Sequence, residues 1–132
     1  MKEKYICPKC RNSVNIGNRI ILTGKTRTGL RGMIMIEGEL GNYNSSFSDD
    51  FTIIEGNRVK FICPICHSSL SSWKRKNLAH LIMVENEDTE AHIYFSQIYG
   101  EKCAYKVIGK ELIGSFGEHK DLYKPDWLVE NL

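Results

Sequence analysis

The sequence has no apolar run that approaches the roughly 20 residues a membrane-spanning helix needs. Its first residues, 1–8, contain no apolar core of the kind that a secretory signal carries. Both absences favour the cytoplasm or another reducing intracellular compartment, and no membrane partner is expected. In such a compartment thiols stay reduced, so paired cysteines indicate metal ligands before they indicate disulfides.

Signals for catalysis are also scarce. The tripeptide Gly24-Lys25-Thr26 resembles the end of a phosphate-binding loop, but that motif needs a glycine five residues earlier, where Arg19 stands. No helix signal follows it. No Ser/His/Asp set and no pair of carboxylates rises above chance. The sequence therefore predicts a protein that is not an enzyme, and no small-molecule substrate is expected.

Long stretches with the apolar period of an amphipathic helix are missing as well. Short β-branched and apolar runs, separated by turns rich in Gly, Asn, Asp and Ser, predict an all-β chain built as an antiparallel meander. A short helix or an ordered tail is expected within 121–132. The predicted strands are Arg19–Thr23, Met33–Ile36, Phe51–Ile54, Arg58–Ile62, Leu78–Val84, Ala91–Phe95, Ala104–Ile108 and Leu112–Phe116.

A short internal repeat is the clearest positive feature. Tyr5–Val14 and Phe61–Leu70 share one order: an aromatic residue, Ile, Cys-Pro-x-Cys, then Ser and an aliphatic residue. Each copy predicts a strand, a tight turn and a second strand. Because zinc prefers four tetrahedral ligands and binds thiolates well, the two copies predict one zinc ion in a closed, structural site. Its ligands are Cys7, Cys10, Cys63 and Cys66.

These two copies resemble the knuckles of zinc-ribbon proteins. The resemblance implies a β-ribbon built on two knuckles, in a family whose members often belong to transcription and translation machinery. Many such knuckles place Gly directly after the second Cys, where φ tends to be positive, whereas this chain has Arg11 and His67. The pairs are separated by 52 residues, against a common spacing of about 15–20.

The insert is therefore expected to form its own strands within a single domain that covers residues 1–132. Its predicted parts are knuckles at 5–14 and 61–70, inserted strands at 15–60, a β meander at 77–117 and a C-terminal tail at 118–132.

The cysteines and histidines also allow other interpretations. A redox Cys-x-x-Cys pair normally opens a helix, and neither pair here does so. Iron in a rubredoxin-like site stays open as an alternative. Cys103 is expected to be a small buried hydrophobe, and His67 to lie beside the metal site or on the surface. The remaining histidines form no ligand spacing; they are His80, His92 and His119.

The net charge of +2 conceals a segregated pattern. Residues 1–34 carry eight Lys/Arg and one acid, and residues 58–76 carry five bases and no acid. Residues 35–57 and 77–101 each carry five acids and no base. Both basic segments contain a cysteine pair, so a shared metal ion would bring them together into one basic face.

Cations neutralise phosphates, and an exposed aromatic ring stacks on a base. The basic face therefore predicts contact with RNA, DNA or a ribonucleoprotein, with the stretch Gly24–Arg31 interpreted as a mobile loop. The predicted binding residues are Lys25, Arg27, Arg31, Trp73, Lys74, Arg75 and Lys76.

Two other functions stay open. In the first, the chain is a zinc-stabilised adaptor that binds a protein partner through its acidic segments and the aromatic residues Tyr43, Phe47, Tyr123 and Trp127. In the second, weaker alternative, the ion is iron and the chain is a redox carrier.

Overall fold

The computed structural model describes residues 4–37, 45–48, 56–72, 77–86, 89–99, 101, 103–109 and 111–118. Within these ranges the chain is all-β, as predicted, and contains no helix. The described part accordingly offers no helix long and apolar enough to cross a membrane. The strands are β1 (Lys4–Ile6), β2 (Asn15–Ile16), β3 (Arg19–Thr26), β4 (Arg31–Glu37), β5 (Ser45–Phe47), β6 (Val59–Ile62), β7 (Leu78–Asn86), β8 (Thr89–Ser96), β9 (Ala104–Ile108) and β10 (Glu111–Phe116).

The strands form two antiparallel sheets. Sheet A has the order β1-β7-β8-β9-β10, so the predicted meander is present and β1 is added at its edge. Sheet B has the order β2-β3-β4-β5, and β6 also pairs with β3, beyond the end of the short β2. The predicted strand Phe51–Ile54 and the expected C-terminal helix or tail at 121–132 lie outside the described residues.

The interpretation of Gly24–Arg31 as a mobile loop was wrong. The strand β3 continues to Thr26, β4 begins at Arg31, and Gly24 pairs with Gly32 between them. The turn is closed by hydrogen bonds from the Thr26 N–H to the Leu30 carbonyl at 2.9 Å and from the Gly29 N–H to the Thr26 carbonyl at 3.0 Å. Gly and Thr suggested a loop, but backbone pairing along the whole hairpin decides the structure here.

The internal repeat extends far beyond the knuckles. In the first half of the chain (β1–β5) and in the second half (β6–β9), a short strand leads into a knuckle, which is followed by a long hairpin and one further strand. The leading strand of each half pairs with the hairpin of the other half: β1 with β7, and β6 with β3. The two halves are thus joined reciprocally, with the topology of an approximate two-fold relation.

The pairing registers of the two halves match residue for residue. Ile34 of β4 pairs with Phe47 of β5, and the equivalent Ile93 of β8 pairs with Lys106 of β9. Ile62 of β6 pairs with Thr23 of β3, and the equivalent Ile6 of β1 pairs with Ile82 of β7. Few equivalent positions of the two hairpins hold the same residue type, which explains why the sequence revealed the repeat only at the knuckles.

Equivalent positions of the two halves also share one core. The buried pairs Tyr5 and Phe61, Val14 and Leu70, Leu22 and Leu81, and Ile34 and Ile93 all belong to it, together with Cys7 and Cys63. Burying side chains of this size contributes about 1.5–3 kcal/mol each. The core therefore runs from both sheets up to the sulfur atoms. Sheet A has a second, smaller buried cluster on its other face, made by Leu78, Tyr94, Cys103, Tyr105 and Val107.

Candidate metal centre

The two knuckles have the same backbone hydrogen bonds. In the first, the Cys7 N–H donates to the Asn12 carbonyl at 3.0 Å and the Arg11 N–H donates to the Cys7 carbonyl at 2.9 Å. In the second, the same two bonds run from Cys63 to Ser68 and from His67 to Cys63, both at 3.0 Å. Both turns are closed by backbone groups alone. The two Cys-Pro-x-Cys sequences therefore have the same turn although their other side chains differ.

The residue after each second cysteine has a left-handed backbone conformation. The φ angle is 65° at Arg11 and 64° at His67, and these are the only non-glycine residues with positive φ in the part of the chain described. Residues with a Cβ rarely adopt this conformation because the Cβ approaches the carbonyl oxygen. Both positions therefore have a positive φ, which glycine adopts more easily, and both turns carry some backbone strain.

The four predicted ligands lie together. The sulfur atoms of Cys7, Cys10, Cys63 and Cys66 are all within 4.8 Å of one another. Two contacts join the halves, Cys7 to Cys66 and Cys10 to Cys63, and both Sγ–Sγ distances are 3.8 Å.

These sulfur distances distinguish a metal site from disulfides. A disulfide needs sulfurs about 2.05 Å apart, and all four thiols are free. Around a tetrahedral zinc ion, sulfurs bound at about 2.3 Å are separated by about 3.8 Å. The four side chains therefore fit one thiophilic ion, and a fully thiolate shell leaves no coordination position for a substrate.

Backbone N–H groups point at the first cysteine of each knuckle. The Lys9 N–H donates to the Cys7 sulfur and the Ile65 N–H donates to the Cys63 sulfur, each at 3.4 Å. The Cys66 N–H also lies 3.5 Å from the Cys63 sulfur. Such bonds stabilise a sulfur that carries negative charge and fix its direction toward the ion.

The first and second cysteines of each knuckle differ in their ionisation. Burial raises the pKa of the Cys7 thiol to about 12 and also raises the pKa of Cys63. Ser68 donates hydrogen bonds to the Cys66 sulfur and lowers the pKa of Cys66 to about 6, and the Asn12 backbone N–H likewise lowers the pKa of Cys10. A bound cation would favour the ionised form of these two buried thiols, because metal ligation by cysteine requires the thiolate.

Neither Cys103 nor any histidine in the described part of the chain belongs to this group of four thiols. Cys103 is fully buried in the second cluster of sheet A, as a small hydrophobe should be. His67 is placed by its turn and is not one of the grouped ligands. His80 and His92 had no ligand spacing in the sequence, yet sheet pairing brings His80 Nε2 and His92 Nδ1 to 2.8 Å. His119 lies outside the described residues.

Only some of the predicted basic residues lie in the part of the chain that the structure describes. Lys25 and Arg31 pair across the β3–β4 hairpin, and Arg27 is exposed in its turn. Lys60 of β6 pairs with the other side of Lys25, so it joins this group although it was not among the predicted residues. Its position could have been found only by knowing that β6 adds to β3. The stretch Trp73-Lys74-Arg75-Lys76 lies outside the described residues, as do Tyr43, Tyr123 and Trp127.

An ion pair ties the first knuckle to the second half of the chain. The Arg11 guanidinium contacts both carboxylate oxygens of Glu90 on β8. Both side chains are about half exposed, so solvent screens the pair and its contribution to stability is small. The equivalent positions in the other half are His67 and Arg31, where no carboxylate stands.

Comparison of the chain with protein-family models, with curated proteins and with solved structures gives no match.

Proposed function

We propose that this chain is a non-catalytic structural-zinc module of the zinc-ribbon type, whose basic face contacts nucleic acid or a ribonucleoprotein. The observation that carries the zinc assignment is the group of four thiols within 4.8 Å of one another. When bound, the ion would supply a rigid cross-link between the halves and no reactive ligand.

The location of the ligands supports a structural role. Each half contributes two thiols, and the leading strands β1 and β6 run directly into the two knuckles. Holding the knuckles together would keep these short strands paired with the hairpin of the opposite half. A catalytic zinc would need an open position, which four thiolates do not leave.

The nucleic-acid contact is supported by the charge on sheet B. Lys25, Arg31 and Lys60 stand in one cross-strand group, and Arg27 follows in the adjoining turn. Such groups neutralise the phosphates of a nucleic acid, and the affinity is highest at low salt. The alternative is a protein adaptor, whose contact surface would be formed by the acidic segments.

Metal and partner identity can be tested together. Protein purified from its native cells without added metal is expected to be colourless and to contain zinc, whereas a red, iron-loaded protein would support the redox carrier. Nucleic acid should co-purify and be lost on nuclease treatment. If no nucleic acid co-purifies and a protein partner stays bound after nuclease treatment, the adaptor is favoured. Absence of nucleic-acid affinity even at low salt would refute the proposed contact.

A further inference from the structure

The outer face of sheet B, which is the face directed away from the shared core, carries an ordered set of rows. Pairing registers place the Arg19–Glu37 ion pair at one end, with 3.4 Å between its charged atoms. Next come Ile21 and Met35, then a row of Met33, Thr23 and Ile62. The last row is Arg31, Lys25 and Lys60, on the adjacent strands β4, β3 and β6.

The last row holds three cations and no acid. Directly paired residues of neighbouring strands share a face, and like charges there destabilise the sheet. Within the described ranges no carboxylate forms an ion pair with Arg31, Lys25 or Lys60. The side chains of Arg31 and Lys60 are exposed. With strands about 4.8 Å apart, the row spans about 10 Å. An extended polyanion would relieve this repulsion.

The second half of the chain shows that this arrangement is not imposed by the fold. The equivalent row on sheet A consists of Lys4, Val84 and Glu90, and Glu90 is paired with Arg11. The equivalent face is also covered, since Ile82 and Tyr94 are only 4% exposed. On sheet B, Met33 is 50% exposed and neighbours the cation row. Ile62 in the same row is only 8% exposed, so the exposed apolar surface of this face is centred on Met33. The outer face of sheet B thus differs from its equivalent on sheet A in its row of three cations and in the exposure of Met33.

We propose that this outer face of sheet B binds single-stranded nucleic acid, with phosphates on the Arg31–Lys25–Lys60 row and bases against Met33 and its apolar neighbours. The inference rests on the proposed function and specifies its surface and its ligand. A duplex keeps its base faces stacked inside, so it would use the cations but leave the apolar rows without a partner. A single strand satisfies both features because its bases are free to contact an apolar surface.

The test is fluorescence anisotropy of zinc-loaded protein with labelled oligouridine and oligothymidine, and with a duplex of matched length, over a salt series. Single strands are expected to bind more tightly than the duplex. Each lost phosphate contact reduces the slope of log affinity against log salt by about 0.7. Lys60→Ala and Lys25→Ala should each show this reduction, whereas Met33→Ser should weaken single-strand binding at an unchanged slope.

Lys4→Ala and Lys4→Glu are the matched controls, because Lys4 occupies the position in sheet A equivalent to Lys60 and both side chains are exposed. These variants are expected to bind as the wild type does. Lys60→Glu should abolish binding while raising the melting temperature of the free protein, since it places a carboxylate opposite Lys25. That combination separates lost binding from misfolding.

Each other outcome has a definite meaning. Equal effects of Lys4→Glu and Lys60→Glu, or equal binding of duplex and single strand, would overturn the inference and leave the proposed nucleic-acid contact standing. No binding of any nucleic acid at low salt would overturn both. Displacement of oligouridine by polyglutamate at equal charge concentration would identify an acidic protein as the better partner and overturn the inference.

Discussion

The sulfur atoms of Cys7 and Cys66 lie 3.8 Å apart, although the two residues are 59 positions apart in the chain. Cys10 and Cys63 repeat this contact at the same distance. Both contacts join the first half of the chain to the second, as do the reciprocal strand pairs β1–β7 and β6–β3. A metal ion at this point would reinforce the same connection that the backbone pairing makes.

Removal of the metal should loosen the junction between the halves before it unfolds the hairpins. By analogy with a cross-link that closes a loop of this length, chelation is expected to lower the free energy of unfolding by about 4 kcal/mol. Urea denaturation with and without a chelator measures the loss. Hydrogen exchange should show early loss of protection in β1 and β6, with β3–β4 and β7–β8 still protected. Uniform exchange throughout the chain would contradict this order.

Glycine at the left-handed positions should relieve backbone strain. His67→Gly is expected to raise the free energy of unfolding by about 1 kcal/mol, since glycine adopts a φ near 64° without a Cβ clash. Arg11→Gly should gain less, because it also removes the surface ion pair with Glu90. Denaturation of the metal-loaded variants provides the comparison. His67→Val should destabilise, and a gain from that substitution would disprove the strain.

Gln97 should be a sensitive polar position. Its side chain is 1% exposed, and its Oε1 accepts the Phe61 N–H at 2.8 Å on the edge of β6 that faces away from β3. Its Nε2 donates to the Ser71 Oγ at 3.0 Å. Gln97→Leu leaves the Phe61 N–H without this acceptor and is expected to cost about 2 kcal/mol. Thermal and urea unfolding measure the cost, with exposed Glu111→Gln as the control; equal stability of the two variants would refute this role.

Cys103 should make stability depend on pH in the alkaline range. Burial raises the pKa of its thiol to about 11 from an ordinary value of 9.0. The folded state therefore holds this proton more tightly than the unfolded state does. The resulting stability is present below pH 9.0 and is lost as the pH rises toward about 11.

The measurement is urea unfolding of wild type and Cys103→Ala at several pH values. The wild type is expected to lose stability more steeply than the variant between pH 9.0 and about 11. At neutral pH the folded wild type should also alkylate slowly at Cys103. Parallel pH profiles for the two proteins would show that the thiol is not a titrating buried group.

The knuckles and most strands were predictable because they depend on local patterns. Cys-Pro-x-Cys forms a tight turn that is closed by local backbone hydrogen bonds. The strand Ala104–Ile108 was predicted with its observed ends. Strand ends elsewhere were extended by pairing: β3 and β4 include Gly24, Lys25 and Gly32, which local propensity assigns to a loop.

Long-range relationships could not be predicted in this way. The pairing of β6 with β3 places Lys60 beside Lys25, and no spacing in the sequence indicates it. The contact between His80 and His92 likewise requires the register of β7 and β8. The duplication of the hairpins is preserved in the backbone register, while most of the equivalent side chains differ.

The most direct test of the central claim is the metal content of the purified chain, determined by elemental analysis together with protein concentration. One zinc ion per chain is expected for the wild type and for Cys103→Ala, and a strongly reduced content for Cys7→Ser and Cys63→Ser. A wild type that binds no metal under reducing conditions, or a Cys7→Ser/Cys63→Ser double variant that keeps its full zinc content, would contradict the account.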